Sequence, residues 1–186
     1  MKGFRYLIIL VFVLSFFSCK PQYIREGVKQ IDSLTLSLDT IRMQLEFLDS
    51  AEIKTKYNLY LENIAKIKAY PDTDYSEEEW TVMTQYGQIR KPLRNYIRKM
   101  PDFFAELAAS TMQLDNLKYD LKGKFITEEQ FHQYYQKEKE ALKFFEESFR
   151  IHYNSASVHF LRYDTLNPLM NTIIENIESN SNKDQK

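Results

Sequence analysis

Two histidines and a glutamate are the residues whose types and spacing come closest to a metal site. His152 and His159 stand seven residues apart on the apolar seam of a predicted helix, and Glu138 lies earlier on that seam. Imidazole nitrogens and carboxylate oxygens are common metal ligands. Seven helical residues span about 10 Å, so one ion cannot bind both histidines unless other ligands complete the site. We keep the three as weak metal candidates; register-fixing seam residues, or a bundle end open to water, are the alternatives.

Other catalytic patterns are missing from the sequence. Glu129 and His132 form a single Glu-x-x-His motif, whereas di-iron bundles need two such motifs and two further carboxylates. No spacing assembles a Ser-His-Asp triad, and no glycine-rich loop could hold a phosphate. We therefore predict a protein that is not an enzyme and that needs no cofactor.

Cys19 is the only cysteine, and it follows an apolar segment near the start of the chain. Lys2 and Arg5 precede a nearly unbroken apolar run over 6–17, and a small residue comes just before the cysteine. These are the marks of a secretory signal peptide. The run is too short for a transmembrane helix, which needs roughly 20 apolar residues. We predict a signal peptide over 1–18; a plain secretory signal with a chance cysteine is the alternative.

The four residues at 16–19, Phe-Phe-Ser-Cys, resemble the lipobox of bacterial lipoproteins. The resemblance implies cleavage before Cys19 and acylation of its thiol, so that residues 19–23 would tether the protein to a membrane. The mature chain is similar to small helical lipoproteins of diderm bacteria. That similarity implies an outer-membrane location facing the periplasm.

The composition favours a single helical domain. The chain has 186 residues, with 25 basic and 26 acidic residues, so no basic excess indicates nucleic-acid binding. Only 4 glycines and 5 prolines are present, too few for the many turns of a β-sandwich. Aromatic residues make up 15% of the chain and predict a bulky core. The fold class is therefore all-α.

Apolar residues at alternating spacings of three and four predict the first long helix. One such seam runs over 31–48 and a second over 53–67. No glycine or proline separates them, so we predict one helix of about 22–69 with a seam shift near 49–53. A break into two helices at that point is the alternative.

Two capping boxes mark the starts of later helices. Ser76 and Thr127 are each followed three residues later by Glu or Gln. The first box opens a helix that keeps its apolar spacing as far as Gly123, with kinks at Pro92 and Pro101. The second opens an aromatic-rich helix.

The aromatic-rich helix is predicted to end near Asp164, because Pro168 disfavours helix at the residue before it. A short helix over 169–177 and a disordered polar tail over 179–186 should follow. The folded domain would span 24–178. We expect an elongated antiparallel three-helix bundle with coiled-coil-like seams and a short C-terminal helix.

Aromatic residues outside the seam indicate a contact face. Phe144 and Tyr153 are hard to bury in a three-helix rod, and Phe160 sits beside the seam. Together with Trp80, they are the predicted partner-binding residues. We expect a lipid-anchored cell-envelope protein with a non-catalytic binding or scaffolding role toward another envelope protein. The alternative is a periplasmic bundle that binds a metal ion, or an apolar ligand in a dry cavity above roughly 300 Å³.

Overall fold

The computed structural model describes residues 21–71 and 73–184, and within them every regular element is a helix. This confirms the all-α prediction. The helical segments are α1 (Gln22–Phe47), α2 (Ser50–Lys68), α3 (Glu77–Gly87), α4 (Arg90–Gly123) and α5 (Glu128–Asp184).

The chain breaks between α1 and α2, where the sequence predicts a seam shift. Asp49 has an extended backbone, and its Oδ1 accepts hydrogen bonds from the N–H groups of Ala51 (2.8 Å) and Glu52 (2.9 Å). An aspartate that caps a new helix in this way competes with continuation of the old one. The alternative of two helices is therefore the observed one.

The bend between α3 and α4 is milder. Gln88 and Ile89 both keep right-handed helical dihedral angles, so 77–123 forms one bent helix. Pro92 has no N–H to donate to the carbonyl of Gln88, four residues earlier, which places the bend there. Pro101 lies inside α4, and the helix continues through it.

The last helix is longer than predicted. It runs for 57 residues through Pro168, so the predicted end near Asp164 and the separate helix over 169–177 are wrong. The helix also includes 179–184, the first part of the predicted tail. An interior proline costs about 3 kcal/mol, whereas each fully buried large apolar side chain contributes about 1.5–3 kcal/mol. Five such side chains continue the buried face across the proline: Leu166, Met170, Ile173, Ile174 and Ile177.

Helix α5 packs against all four other segments, and α4 also packs against α1 and α2. The end of α4 and the start of α5 come close to α1 near its start. A Cβ atom on Gly27 would stand 2.7 Å from the Leu121 side chain and 2.8 Å from that of Phe131. Glycine is needed here because the end of α4 and the start of α5 both press against α1.

Candidate functional site

A polar cluster extends from the interior to the surface where α2, α3 and α5 meet: Asn63 and Tyr86 are buried, Asn167 is half-buried and Asn171 is exposed. Asn63 Nδ2 is 3.2 Å from the hydroxyl of Tyr86 and 3.0 Å from Oδ1 of both Asn167 and Asn171. The Tyr86 hydroxyl donates to Asn167 Oδ1 over 2.9 Å. We call these four residues the asparagine cluster.

The asparagine cluster is suited to holding helices in register. Asn63 and Tyr86 are buried, and the two N–H bonds of the Asn63 amide serve three acceptors. Burial raises the pKa of the Tyr86 hydroxyl far above its usual range, so it stays neutral. Amides and a neutral phenol are poor general acids and bases. Their hydrogen bonds are directional, so they form in only one alignment of the helices.

A lysine below the cluster joins α2 to α5. Lys56 Nζ lies 2.8 Å from Asp164 Oδ1 and 3.0 Å from Glu52 Oε1, and it stands 3.7 Å from the centre of the Phe160 ring. Burial lowers the pKa of Lys56, but the hydrogen bonds and charges of the two carboxylates outweigh it and the pKa is raised. The ammonium is therefore held charged, as a structural cation.

One tyrosine on the α4 side of the core lacks a comparable partner. The Tyr96 hydroxyl is buried and has no hydrogen-bond partner among residues 21–71 and 73–184. Burial also raises the pKa of this hydroxyl. Tyr96 therefore provides an internal contrast to Tyr86, whose hydroxyl is fully bonded.

The metal candidates are not brought together. His152 Nδ1 lies 2.9 Å from the carbonyl of Ser148, and His159 Nδ1 lies 2.8 Å from that of Ser155, so each ring bonds to its own helix. Burial raises the pKa of Glu138. In the described part of the chain, no three His, Cys, Asp or Glu side chains are grouped as metal ligands would be. Residues 21–71 and 73–184 therefore do not supply the further ligands that these histidines would need.

The predicted contact residues separate into buried and exposed positions. Phe160 is 4% exposed and packs edge-on against Phe47, so it cannot contribute to a surface. Tyr153 is half-buried and stacks on Phe149. Phe144 and Trp80 are exposed, but they lie on different helices. The four side chains therefore do not form one face.

A different apolar face is present on α5. Phe144, Ile151 and Val158 follow each other at seven-residue intervals and are 70%, 69% and 54% exposed, with Leu161 beside them. The exposed Glu147 lies between Phe144 and Ile151 on the same side of the helix, and no acidic residue occurs over 148–163. We call the four apolar residues the α5 outer face. A search for aromatic residues misses Ile151 and Val158, whereas the seven-residue spacing would have found them.

An open groove runs between α1 and α4. It has a volume of about 680 Å³ and is lined by Arg42 and Glu46 on one side and by Phe104, Leu107 and Met112 on the other. Phe104 and Met112 are themselves exposed, so the groove opens to solvent along its length. It is not the dry cavity that an enclosed apolar ligand requires, and binding of such a ligand stays a prediction.

The lipidation candidate, Cys19, lies outside the described residues. Among the helices that the structure describes, none combines the length and apolarity needed to cross a bilayer. Comparison with known protein families, curated proteins and solved structures found no match.

Proposed function

We propose that this protein is a lipid-anchored scaffold of the cell envelope that binds another envelope protein through the α5 outer face. The observation that carries the proposal is the row of exposed apolar side chains on the longest helix. Phe144, Ile151 and Val158 are exposed and aligned at helical spacing, so the apolar side of a partner helix could cover them together.

The start of the fold supports the anchor. Helix α1 begins at Gln22, three residues after Cys19. Three residues span at most about 10 Å, so a lipid on Cys19 would hold the first turn of α1 close to the membrane surface.

The contacts along the chain support an elongated antiparallel arrangement of three long helical units, 22–68, 77–123 and 128–184. Lys118 pairs with Asp32 over 2.6 Å near one end, and Lys56 pairs with Asp164 toward the other. Residue numbers in the first and third units increase from the end with the Asp32–Lys118 pair toward the end with the Lys56–Asp164 pair, whereas those in the second unit decrease. At 1.5 Å per residue, α5 is about 85 Å long.

This arrangement gives the α5 outer face a defined height. Phe131 packs beside Gly27 near the chain start, and the face begins at Phe144 and ends at Leu161. The face would stand about 20–45 Å from the anchored end. A partner would therefore be held away from the bilayer surface.

The chemistry of the interior supports a non-catalytic role. The asparagine cluster consists of amides and one neutral hydroxyl bonded to each other. Such a closed set of bonds contributes structure and offers no free acid, base or nucleophile.

Photo-crosslinking in cells tests the scaffold role. A photoreactive amino acid at Ile151 or Val158, at native expression, should give a covalent adduct with a second protein. The same amino acid at Gln113, an exposed position on α4, should give none. Ile151→Asp combined with Val158→Asp should abolish the adduct while the circular dichroism spectrum stays helical. Equal adducts at Gln113, or none at α5, would contradict the proposal.

The anchor is tested separately by mass spectrometry of the N-terminal peptide. We expect an acylated Cys19 at the mature N-terminus and recovery of the protein with membranes. The Cys19→Ser variant should move to the aqueous fraction. An unmodified thiol on the membrane-extracted protein would exclude the lipid anchor.

A further inference from the structure

A hollow lined by cations lies between the first turns of α1 and the end of α4. Ile24 and Val28 supply its apolar lining, and Arg25, Lys29 and Lys122 supply its charge, around a volume of about 300 Å³. No carboxylate lines this hollow, and none of the three cations forms an ion pair within the described residues. We call it the basic hollow.

Two exposed aromatic side chains lie at the same end of α4 as the basic hollow. Tyr119 is 68% exposed and Phe125 is 65% exposed, and their ring centroids are 5.6 Å apart. Tyr119 and Lys122 are three residues apart on α4 and are therefore neighbours on its surface. The aromatic pair and the hollow thus belong to the same end of the molecule.

The turn between α4 and α5 fixes the position of this pair. Lys124 adopts a left-handed conformation with φ 59°, and the Phe125 N–H donates to the Asp120 carbonyl over 2.9 Å. A Cβ atom on Gly123 would overlap the Phe125 ring, so the glycine lets the ring lie against the turn. The exposed ring is therefore positioned by its backbone.

We propose that this end of the protein docks on an anionic lipid bilayer, with the basic hollow contacting lipid phosphates and the aromatic pair entering the interfacial region. The inference rests on the proposed anchor, which would place Cys19 within about 10 Å of α1. Basic side chains are attracted to anionic leaflets, and tyrosine and other aromatic rings favour the membrane–water interface.

Docking would give the protein a second attachment besides its lipid. A protein held only by a flexible lipid tether can change its orientation on the membrane. Because the tether keeps the basic hollow near the bilayer, binding of the hollow to lipid is intramolecular and occurs at a high effective concentration. The rod would then hold one orientation, and the α5 outer face would keep its height above the bilayer.

Depth-dependent fluorescence quenching tests this docking with a matched control. Trp80→Phe removes the only tryptophan, and Phe125→Trp or Phe144→Trp then installs a single reporter at the docking end or on the α5 outer face. The full lipidated protein is reconstituted in vesicles of brominated phosphatidylcholine, with or without phosphatidylglycerol. Flotation with the vesicles shows the anchor, and unchanged thermal unfolding shows that each variant is folded.

We expect bromine to quench the Phe125→Trp reporter more strongly on vesicles that contain phosphatidylglycerol and to leave the Phe144→Trp reporter unquenched. Lys122→Gln should weaken the docking equilibrium about fivefold. A protein that floats but shows no quenching at position 125 would overturn docking alone. Equal quenching at both positions, or on both lipid compositions, would also overturn it. Failure to float would overturn the anchor and the docking together.

Discussion

Different kinds of contact stabilise the two halves of the protein. The apolar half consists of α1 with the parts of α4 and α5 beside it, and its core is a run of aliphatic and phenyl side chains such as Leu38, Leu114 and Phe149. The polar half consists of α2, α3 and the C-terminal part of α5. It buries Asn63 and Tyr86 and places Lys56 between two carboxylates.

The difference indicates a division of roles between stability and alignment. Apolar contacts are non-directional, so a seam that repeats every seven residues could shift by one repeat and still bury its side chains. The asparagine cluster cannot shift in this way, because its partners on α2, α3 and α5 must meet at one height. We expect the apolar half to contribute more free energy and the polar half to select the register.

High pH should separate the two halves most strongly. Burial raises the pKa of three neighbouring tyrosines in the polar half, Tyr60, Tyr86 and Tyr163, and of Tyr96 and Tyr153 outside it. The polar half therefore loses more stabilisation than the apolar half as these groups ionise. A folded-state pKa raised above the unfolded value of about 10 means that this stabilisation is complete below pH 10. It is then lost as the pH rises through the folded-state values, at up to about 1.4 kcal/mol per pH unit for each tyrosine. Trp80 fluorescence should report opening of the polar half before the helical circular dichroism is lost.

Tyrosine absorbance during the same titration provides the control. The buried tyrosines Tyr60, Tyr86 and Tyr163 should ionise only as the polar half opens. A single ionisation step near pH 10 with no change in Trp80 fluorescence would contradict the comparison.

Truncation of the apolar core should cost the most free energy of any single substitution considered. Phe149 is buried and packs against Phe103 and Phe145, so Phe149→Ala should lower the free energy of unfolding by about 3–5 kcal/mol. Phe144→Ala, five residues away on the same helix, removes an exposed ring and should change it by less than about 0.5 kcal/mol. Urea unfolding monitored by circular dichroism measures both. Similar losses for the two variants would show that α5 is packed differently.

Loss of the central amide should test register selection. Asn63→Leu leaves the buried Tyr86 hydroxyl oxygen and Asn171 Oδ1 without their donor and should cost about 1–3 kcal/mol, while Asn167 Oδ1 still accepts from Tyr86. A quadruple variant with leucine at positions 63, 167 and 171 and with Tyr86→Phe removes every polar side-chain group of the cluster. It should recover most of this loss. Amide NMR spectra of that quadruple variant should show additional or broadened signals in the polar half. A single sharp set of signals would mean that the cluster does not select the register.

Two tyrosine hydroxyls offer a smaller and matched test. Tyr86→Phe removes a bonded hydroxyl and should cost about 0.5–1.5 kcal/mol. Tyr96→Phe removes a hydroxyl that has no partner in the described chain, and should be neutral or stabilising. Thermal unfolding of the two variants decides the comparison, since equal losses would imply that Tyr96 is also bonded.

The ion pair of the polar half should have the smallest effect. Lys56 is only 13% exposed, but Glu52 and Asp164 are more than half exposed, so solvent screens the pair. Lys56→Met should cost about 0.5–1 kcal/mol at low salt and less at high salt. Lys99→Met breaks an exposed pair with Asp102 and should have no measurable effect. A salt-independent loss at Lys56 would point to its contact with the Phe160 ring instead.

Local chemistry made parts of the fold predictable from sequence. Ser76 and Thr127 form the predicted capping boxes, with Glu79 and Gln130 bonding back to their backbone N–H groups over 2.8 Å and 2.9 Å. The break at Asp49 falls where the apolar seam shifts. In each case the deciding atoms lie within four residues of each other.

Long-range packing decided what the sequence could not predict. Proline disfavours a helix locally, but contacts between α5 and the preceding helices carry the helix through Pro168. The partners of Asn63 lie 23 to 108 residues away, so no local pattern brings the asparagine cluster together. The acylation of Cys19 and the scaffold role stay predictions.

Pro168 introduces a weak point into the long helix α5. Its ring supplies no amide hydrogen for the Asp164 carbonyl, so one backbone hydrogen bond of α5 is missing about two thirds of the way along the helix. We expect α5 to bend at Pro168 more readily than elsewhere along its length, because one backbone hydrogen bond is missing there. The ion pair of Lys56 with Asp164 and the bonds of Asn63 to Asn167 and Asn171 link α2 to α5 near Pro168. These contacts would limit the bending of α5 at the proline.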